Sequence, residues 1–369
     1  MKIQKYLFVI LFLQSSFCIA QFSPYQNDKV KENYNQAFSE LNNMLNGKSI
    51  LNFKKAVFIS ENVYFNNTMN YEAFNSEIED LSKMINALIK RENLIYAFDD
   101  SAKIKKHAAI FTLMKDSIKI YMDSSHFYYH QPFSYDFDDI WGSDDWSKMF
   151  VSKLLETGKG NCHSLPFLYK ILAQELNEEA YLSFAPNHIY IKIRSKKDGW
   201  YNTELTSGYF PIDAWLMASG YIHLSAIQNA IYMDTLSNQQ SIAVCLFDLA
   251  KGYEKKNIPN NEEFILQCCD TALKYYPNYI NALLLKAETK KKIFQAIMQK
   301  QNATYPKEVF SNPKAKELFD EMQNLYTSIH KLGYRSMPKE MYLDWLVSLK
   351  TEKEKYQNKN ITNFTNNKK

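Results

Sequence analysis

Glycine and proline are scarce in this chain, 9 and 10 among 369 residues. That scarcity weighs against a loop-rich all-β protein and leaves helix as the dominant element. Cysteine is scarce too. Of five, Cys18 falls in the N-terminal segment, and Cys162, Cys245, Cys268 and Cys269 have spacings that match no disulfide scaffold. One bridge, from Cys245 to Cys268 between neighbouring helices, stays open. Paired Cys or His ligands at zinc spacing are missing, so no metal is expected and no cofactor is required. The acidic run Asp136, Asp138, Asp139, Asp144 and Asp145 lacks the closing glutamate of a calcium loop and reads as solvated. Charge is not concentrated: 44 basic and 40 acidic side chains give +4, spread along the chain, which argues against a nucleic-acid surface. Beyond residue 20 no stretch is apolar for long enough to cross a membrane.

What is present is the composition of a folded protein, 46% hydrophobic and 15% aromatic. At this length two or three packed units are expected. Residues 1–20 have the form of a secretory signal, with Lys2 and Lys5, an apolar run over 6–13, and a short segment ending at Ala20. This predicts export, with the mature chain periplasmic or secreted and free of any membrane span after cleavage. Phe17 beside Cys18 opposes acylation of that cysteine.

Residues 21–135 predict a helical N-terminal region, from the spacing of Val30, Tyr34, Phe38 and Leu41, then Leu81, Ile85 and Leu88, then Ile104, Ala108 and Ile110. A polar, aromatic connector over 123–145 follows, broken by Pro132 and Gly142. Residues 136–212 form a core in which the pattern becomes helix, strand, strand. A short helix over 146–156 ends at Gly158 and Gly160, and the next starts near Cys162 with Pro166 in its first turn. Residues 180–184 and 188–194 alternate as strands, and 200–206 return after a turn at 196–199. Residues 213–310 are helical, and 241–292 resemble a tetratricopeptide unit that could dock a protein partner. Residues 311–369 hold C-terminal helices, with 314–326 and 340–355 read as degenerate caps of that stack, and a disordered basic tail.

Acyl transfer through sulfur needs a thiolate, a base that generates it, and a group that orients the base. Cys162 follows the glycine turn Gly158-Lys159-Gly160-Asn161 and stands at a helix start, where unpaired amides and the helix dipole lower a thiol pKa and could bind an oxyanion. His188 opens a strand on the face opposite Ile189, Ile191 and Ile193, so the isoleucines are expected to point to the core and the imidazole away from it. Glu204 shares a face with Trp200 and Asn202 on the return strand. A hairpin centred on Lys197 makes Glu204 diagonal to His188, and one centred on Lys196 makes them opposite; both bring them within reach. His163 competes poorly as base, because adjacent helical residues diverge. Trp141, Trp146, Asn161, His163 and Tyr190 are candidates for contacts with substrate.

These residues carry a resemblance. The order Gly160-Asn161-Cys162, then His188, then Trp200 to Glu204 with Thr206, resembles the transglutaminase-like (papain-type) superfamily, with Glu204 in place of the usual aspartate. The resemblance covers about a sixth of the chain. It implies an α+β fold in which a helix packs on a small antiparallel sheet, flanked here by mostly helical regions. It also implies a cysteine-dependent amide hydrolase or acyl transferase acting on peptide or protein substrates, with Cys162 as nucleophile, His188 as base and Glu204 as orienting acid. The alternative is a catalytically inactive scaffold of that type whose helical repeats bind a protein partner.

Overall fold

A computed structural model describes residues 24–91, 93–121 and 126–355. The expectations for the N-terminal signal and for the basic tail lie outside those residues.

The fold is organised around one helix, α6 (Ser164–Glu175), which is buried at every position from Ser164 to Ala173. Its sequence is therefore apolar all round rather than along one stripe. Lys170 is the exception, and its Nζ donates to the Ala180 carbonyl and to Asn238 Oδ1, both at 2.9 Å. Before α6 come α1 (Pro24–Leu45), α2 (Phe53–Tyr64), α3 (Tyr71–Arg91) and α4 (Ser101–Lys115). The apolar residues whose spacing marks these helices, Tyr34, Leu41, Ile85 and Ile110 among them, all point inward.

The N-terminal region is not helical throughout. β1 (Ile118–Tyr121) and β2 (Phe127–His130) form an antiparallel hairpin with Ile118 opposite His130. The Tyr, Phe and Ile residues there suit a pleated surface better than a helix. β3 (Ser134–Tyr135) follows, then a 3-10 turn over Trp146–Met149, α5 (Val151–Thr157) and β4 (Lys159–Gly160). The single helix expected over 146–156 is interrupted because Phe150 is extended, at φ −89° and ψ 143°. Its ring wedges between Tyr64 and Phe65. Glu61, inside α2, then caps α5, accepting from the amides of Val151 at 2.7 Å and Ser152 at 2.9 Å. Glu61→Ala orphans both buried donors, and a loss of about 2–3 kcal/mol is expected in urea unfolding, with the far-ultraviolet helix signal retained before the transition.

β5 (Tyr181–Ala185), β6 (His188–Ser195) and β7 (Gly199–Thr203) make an antiparallel sheet in the order β5-β6-β7. Asn187, at φ 57°, turns the first hairpin, a conformation that asparagine tolerates better than most residues. Ser195 pairs with Gly199 and Ile191 with Thr203, so the second hairpin is centred on Lys197. The strand departs from the alternation expected of it. Only Arg194 in β6 is exposed, because C-terminal helices cover the face that carries His188, Tyr190 and Lys192.

Those helices are α7 (Asp213–Ser219), α8 (Leu224–Gln228), α9 (Asn238–Lys255), α10 (Glu262–Tyr275), α11 (Ile280–Lys300), α12 (Pro313–Lys331) and α13 (Lys339–Lys355). From α9 to α12 each packs on the next, and α9 also packs on α1 and α2. α9 opens with a reciprocal Ser237–Gln240 capping box. α12 packs on α11, whereas α13 crosses to the sheet and lays Tyr342 and Trp345 against His188. The expected separate units share one core, running from Val30 to Leu349, beside a small cluster around Phe294, Val309 and Ala315. The architecture is mostly helical with small sheets. Cys162, Cys245, Cys268 and Cys269 are all free thiols, so the Cys245–Cys268 bridge is not formed. Among the described residues no helix is long and apolar enough to cross a membrane.

Candidate active site

The turn that carries the thiol is built from α5 forward. Gly158 ends that helix in the left-handed region, at φ 68°, and β4 then pairs in parallel with β3, setting Tyr135 beside Gly160. A Cβ on Gly160 would lie 2.6 Å from Ser164 Oγ and 2.8 Å from a Leu154 methyl, so only glycine fits. Asn161 Oδ1 accepts from the amides of His163 at 2.9 Å and Ser164 at 3.2 Å. The amides expected to be free at the start of this helix are thus occupied, and α6 begins at Ser164, two residues past Cys162. Asn161 is a helix cap, not a substrate contact.

Cys162 Sγ sits 3.7 Å from the Asn187 carbonyl. His188 Nε2 lies 3.1 Å from Glu204 Oε1, across the diagonal that the Lys197-centred register provides. The opposite edge of the ring faces the thiol. The Tyr342 hydroxyl touches both, 3.2 Å from His188 Nδ1 and 3.3 Å from Cys162 Sγ. With His188 protonated, Nδ1–H donates to that hydroxyl and the hydroxyl donates to sulfur. Glu204 is fixed in turn, accepting from the amides of Thr206 and Ser207, both at 2.8 Å, and from Ser207 Oγ at 2.6 Å.

The electrostatics favour an ion pair. Burial alone would raise the Cys162 pKa, yet the adjoining His188, the Tyr342 hydroxyl and His163 outweigh it and bring it below the usual thiol value. Burial would lower the pKa of His188, but Cys162 and Glu204 push it up to about 9. Glu204, which burial would raise, is held down to about 2 by His188 and Ser207. The three shifts run in one direction, making the Cys162 thiol more acidic, the His188 imidazole more basic and the Glu204 carboxyl more acidic.

The other expected contacts divide. Trp141, Trp146 and His163 line a cavity of about 270 Å³ that opens beside Cys162 and His188, with Phe247 of α9 and Tyr279 forming its far wall. His163 is not free to act as base: Nε2 contacts both carboxylate oxygens of Asp248 at 3.1 Å and Nδ1 the Met149 carbonyl at 2.9 Å. It ties the cysteine turn to α9. Tyr190 is fully buried in the core, outside that cavity, because its face of β6 is covered. A larger hollow of about 600 Å³ lies at the far end of α6, lined by Lys54, Glu175 and Glu178, and holds no thiol or histidine. Among the described residues no cluster of His, Cys, Asp and Glu could hold a metal ion; Asp139 instead accepts the amides of Ser143, Asp144 and Asp145.

Tyr342, Trp345 and Asp248 were not singled out by the sequence. The spacing of Tyr342, Trp345, Leu346 and Leu349 marks an apolar helix face, but a periodicity does not say what that face covers.

No protein-family model matches the chain, and no curated protein matches it. Among solved structures the chain matches menin, titled "Crystal structure of menin reveals the binding site for Mixed Lineage Leukemia (MLL) protein", at 12% identity and a TM-score of 0.29 over 90% of this chain and 92% of that one. A likeness at that score fixes neither fold nor function.

Proposed function

We propose that this chain is an exported, transglutaminase-like cysteine amide hydrolase or acyl transferase acting on peptide or protein substrates. The observation that carries the reading is the His188 imidazole held between Glu204, at 3.1 Å, and the Cys162 thiol. The helix that follows the thiol, the strand that opens on His188 and the bridge just past β7 that holds Glu204 support this reading. In the proposed cycle the Cys162 thiolate adds to an amide carbonyl, forming the S–C bond. The oxyanion collapses as His188 Nδ1–H protonates the leaving amine and the C–N bond breaks. Water or a second amine, deprotonated by His188, then releases the acyl group and restores the thiol. The Tyr135 hydroxyl lies beside Cys162 and Tyr342, which puts a buried donor next to the sulfur, where it could serve the oxyanion.

One observation favours the other reading, an inert scaffold that binds a partner through α9–α12: the side chains of His188 and Glu204 are 0% exposed. Release of free amine from peptidoglycan fragments and from unfolded casein separates the two. It is expected from the full chain and is expected to vanish in Cys162→Ala; equal release from both proteins would rule out the hydrolase.

A further inference from the structure

The cover over the thiol comes from a single element. Tyr342, Trp345, Leu346 and Leu349 of α13 are all buried, at the i, i+3, i+4, i+7 spacing of one helix face. The Trp345 ring meets His188 edge-on with centroids 4.8 Å apart, and its indole Nε1 donates to Ser219 Oγ at 3.0 Å. Trp141, which lines the cavity beside the thiol, packs against Tyr342 at 4.8 Å. The Tyr342 hydroxyl lies 3.3 Å from Sγ, where a reacting carbonyl would have to approach to about 3–3.5 Å. The Tyr342 hydroxyl and a substrate atom cannot share that position.

The connection to α13 is suited to movement. Residues 334–338 have no regular structure between α12 and α13. Gly333 is in the left-handed region at φ 95°, where a Cβ would fall 2.2 Å from Ser225 Oγ, so the strap leaves α12 at a fixed point. Beyond it, Asn187 Nδ2 holds the Met337 carbonyl at 3.1 Å, one residue from His188 in the chain. The strap and the site therefore meet at the turn that leads into β6.

We propose that α13 is an autoinhibitory lid: the Tyr342 hydroxyl occupies a position next to the sulfur that a substrate would take, and the full chain turns over only in the fraction of molecules in which α13 has swung away about residues 333–338. This rests on the hydrolase reading above. In the closed form the Tyr342 hydroxyl contacts both His188 Nδ1 and Cys162 Sγ and shields the sulfur. Opening removes that hydroxyl and leaves His188 and Cys162 facing one another directly, with Tyr135 still in place on β3.

The test measures modification of Cys162 by a bulky maleimide and by iodoacetamide in the full-length protein, followed by mass spectrometry of the Cys162 peptide. Tyr342→Ala is expected to speed maleimide labelling of Cys162 at least tenfold while Cys245 and Cys268 stay unlabelled. Tyr342→Phe, which keeps the ring over the sulfur, is expected to stay within about threefold of the parent. Unchanged labelling of Cys162 in Tyr342→Ala overturns the lid, as does labelling of Cys245 and Cys268 alongside it, since that marks general loosening. If Tyr342→Ala does not fold, hydrogen exchange of the unmodified chain decides. α13 amides are expected to exchange at least tenfold faster than those of α6, and equal protection overturns the proposal. Adding His188→Ala to Tyr342→Ala separates the two claims: fast labelling by iodoacetamide at pH 6 that ignores this second change leaves the lid standing and removes the hydrolase.

Discussion

His188→Ala is expected to slow alkylation of Cys162 by iodoacetamide about 10–100-fold at pH 6 and to change it little at pH 9.5. An unassisted thiol with a pKa near 8.5 is about 0.3% ionised at pH 6. Beside the His188 imidazolium the Cys162 pKa is lowered, and each unit of lowering raises the thiolate fraction at pH 6 about tenfold. A less basic thiolate is a weaker nucleophile, with a Brønsted slope of about 0.4–0.5, so part of that gain is returned. The advantage persists only while His188 keeps its proton, which it gives up at about 9. α13 covers the site in both proteins, so the ratio of rates cancels its contribution. Equal rates at pH 6 would mean that the imidazole does nothing for the sulfur, and the reading of the trio as a catalytic unit would end there.

Glu204→Gln is expected to lower stability by about 3–5 kcal/mol near pH 6, the range for breaking a buried charge pair by removing one partner. Glu204 accepts four bonds with no exposed surface. Glutamine offers a single oxygen to donors that now share two, turns an NH₂ toward backbone amides, and leaves the imidazolium without its counter-charge. The pH dependence follows from both shifts. The Glu204 carboxyl is held at about 2 against an ordinary 4.5, so its contribution is present above pH 4.5 and is lost as pH falls toward 2. The His188 pKa is raised to about 9 from 6.5, so its contribution is complete below 6.5 and is lost as pH rises through 9. Urea unfolding at pH 3, 6 and 9.5 should show the largest gap between parent and variant at pH 6. A gap that stays constant across the three would contradict the ion pair.

Much of the site was legible because strand parity is a strong constraint. Placing His188 and Glu204 on one face needed only the alternation of 188–194 and a turn near Lys197, and the hairpin adopts one of the two registers that allow it. The helices of the N-terminal region and of the stack from α9 onward declared themselves by their period. Three features were not legible, each for a physical reason. The β1–β2 hairpin lies where aromatic residues serve helix and strand patterns alike. The second face of β6 looked open because its cover comes from residues 21 to 154 positions away, and local pattern carries no such distance. Asn161 looked like a residue of the site, but its short carbonyl satisfies the helix start better than any ligand would. The destination of α13 is the same problem at its greatest sequence separation, 154 residues between His188 and Tyr342.

The remaining sulfurs give the molecule a practical property. Cys245, Cys268 and Cys269 are buried and unbridged, and loss of solvent raises all three thiol pKa values, that of Cys269 to about 12. They stay protonated and shielded wherever the fold persists. Among the described residues Cys162 is thus the thiol whose pKa is lowered rather than raised. A thiol-directed probe can therefore report on this position through the mass of the Cys162 peptide, with Cys245, Cys268 and Cys269 left unmodified.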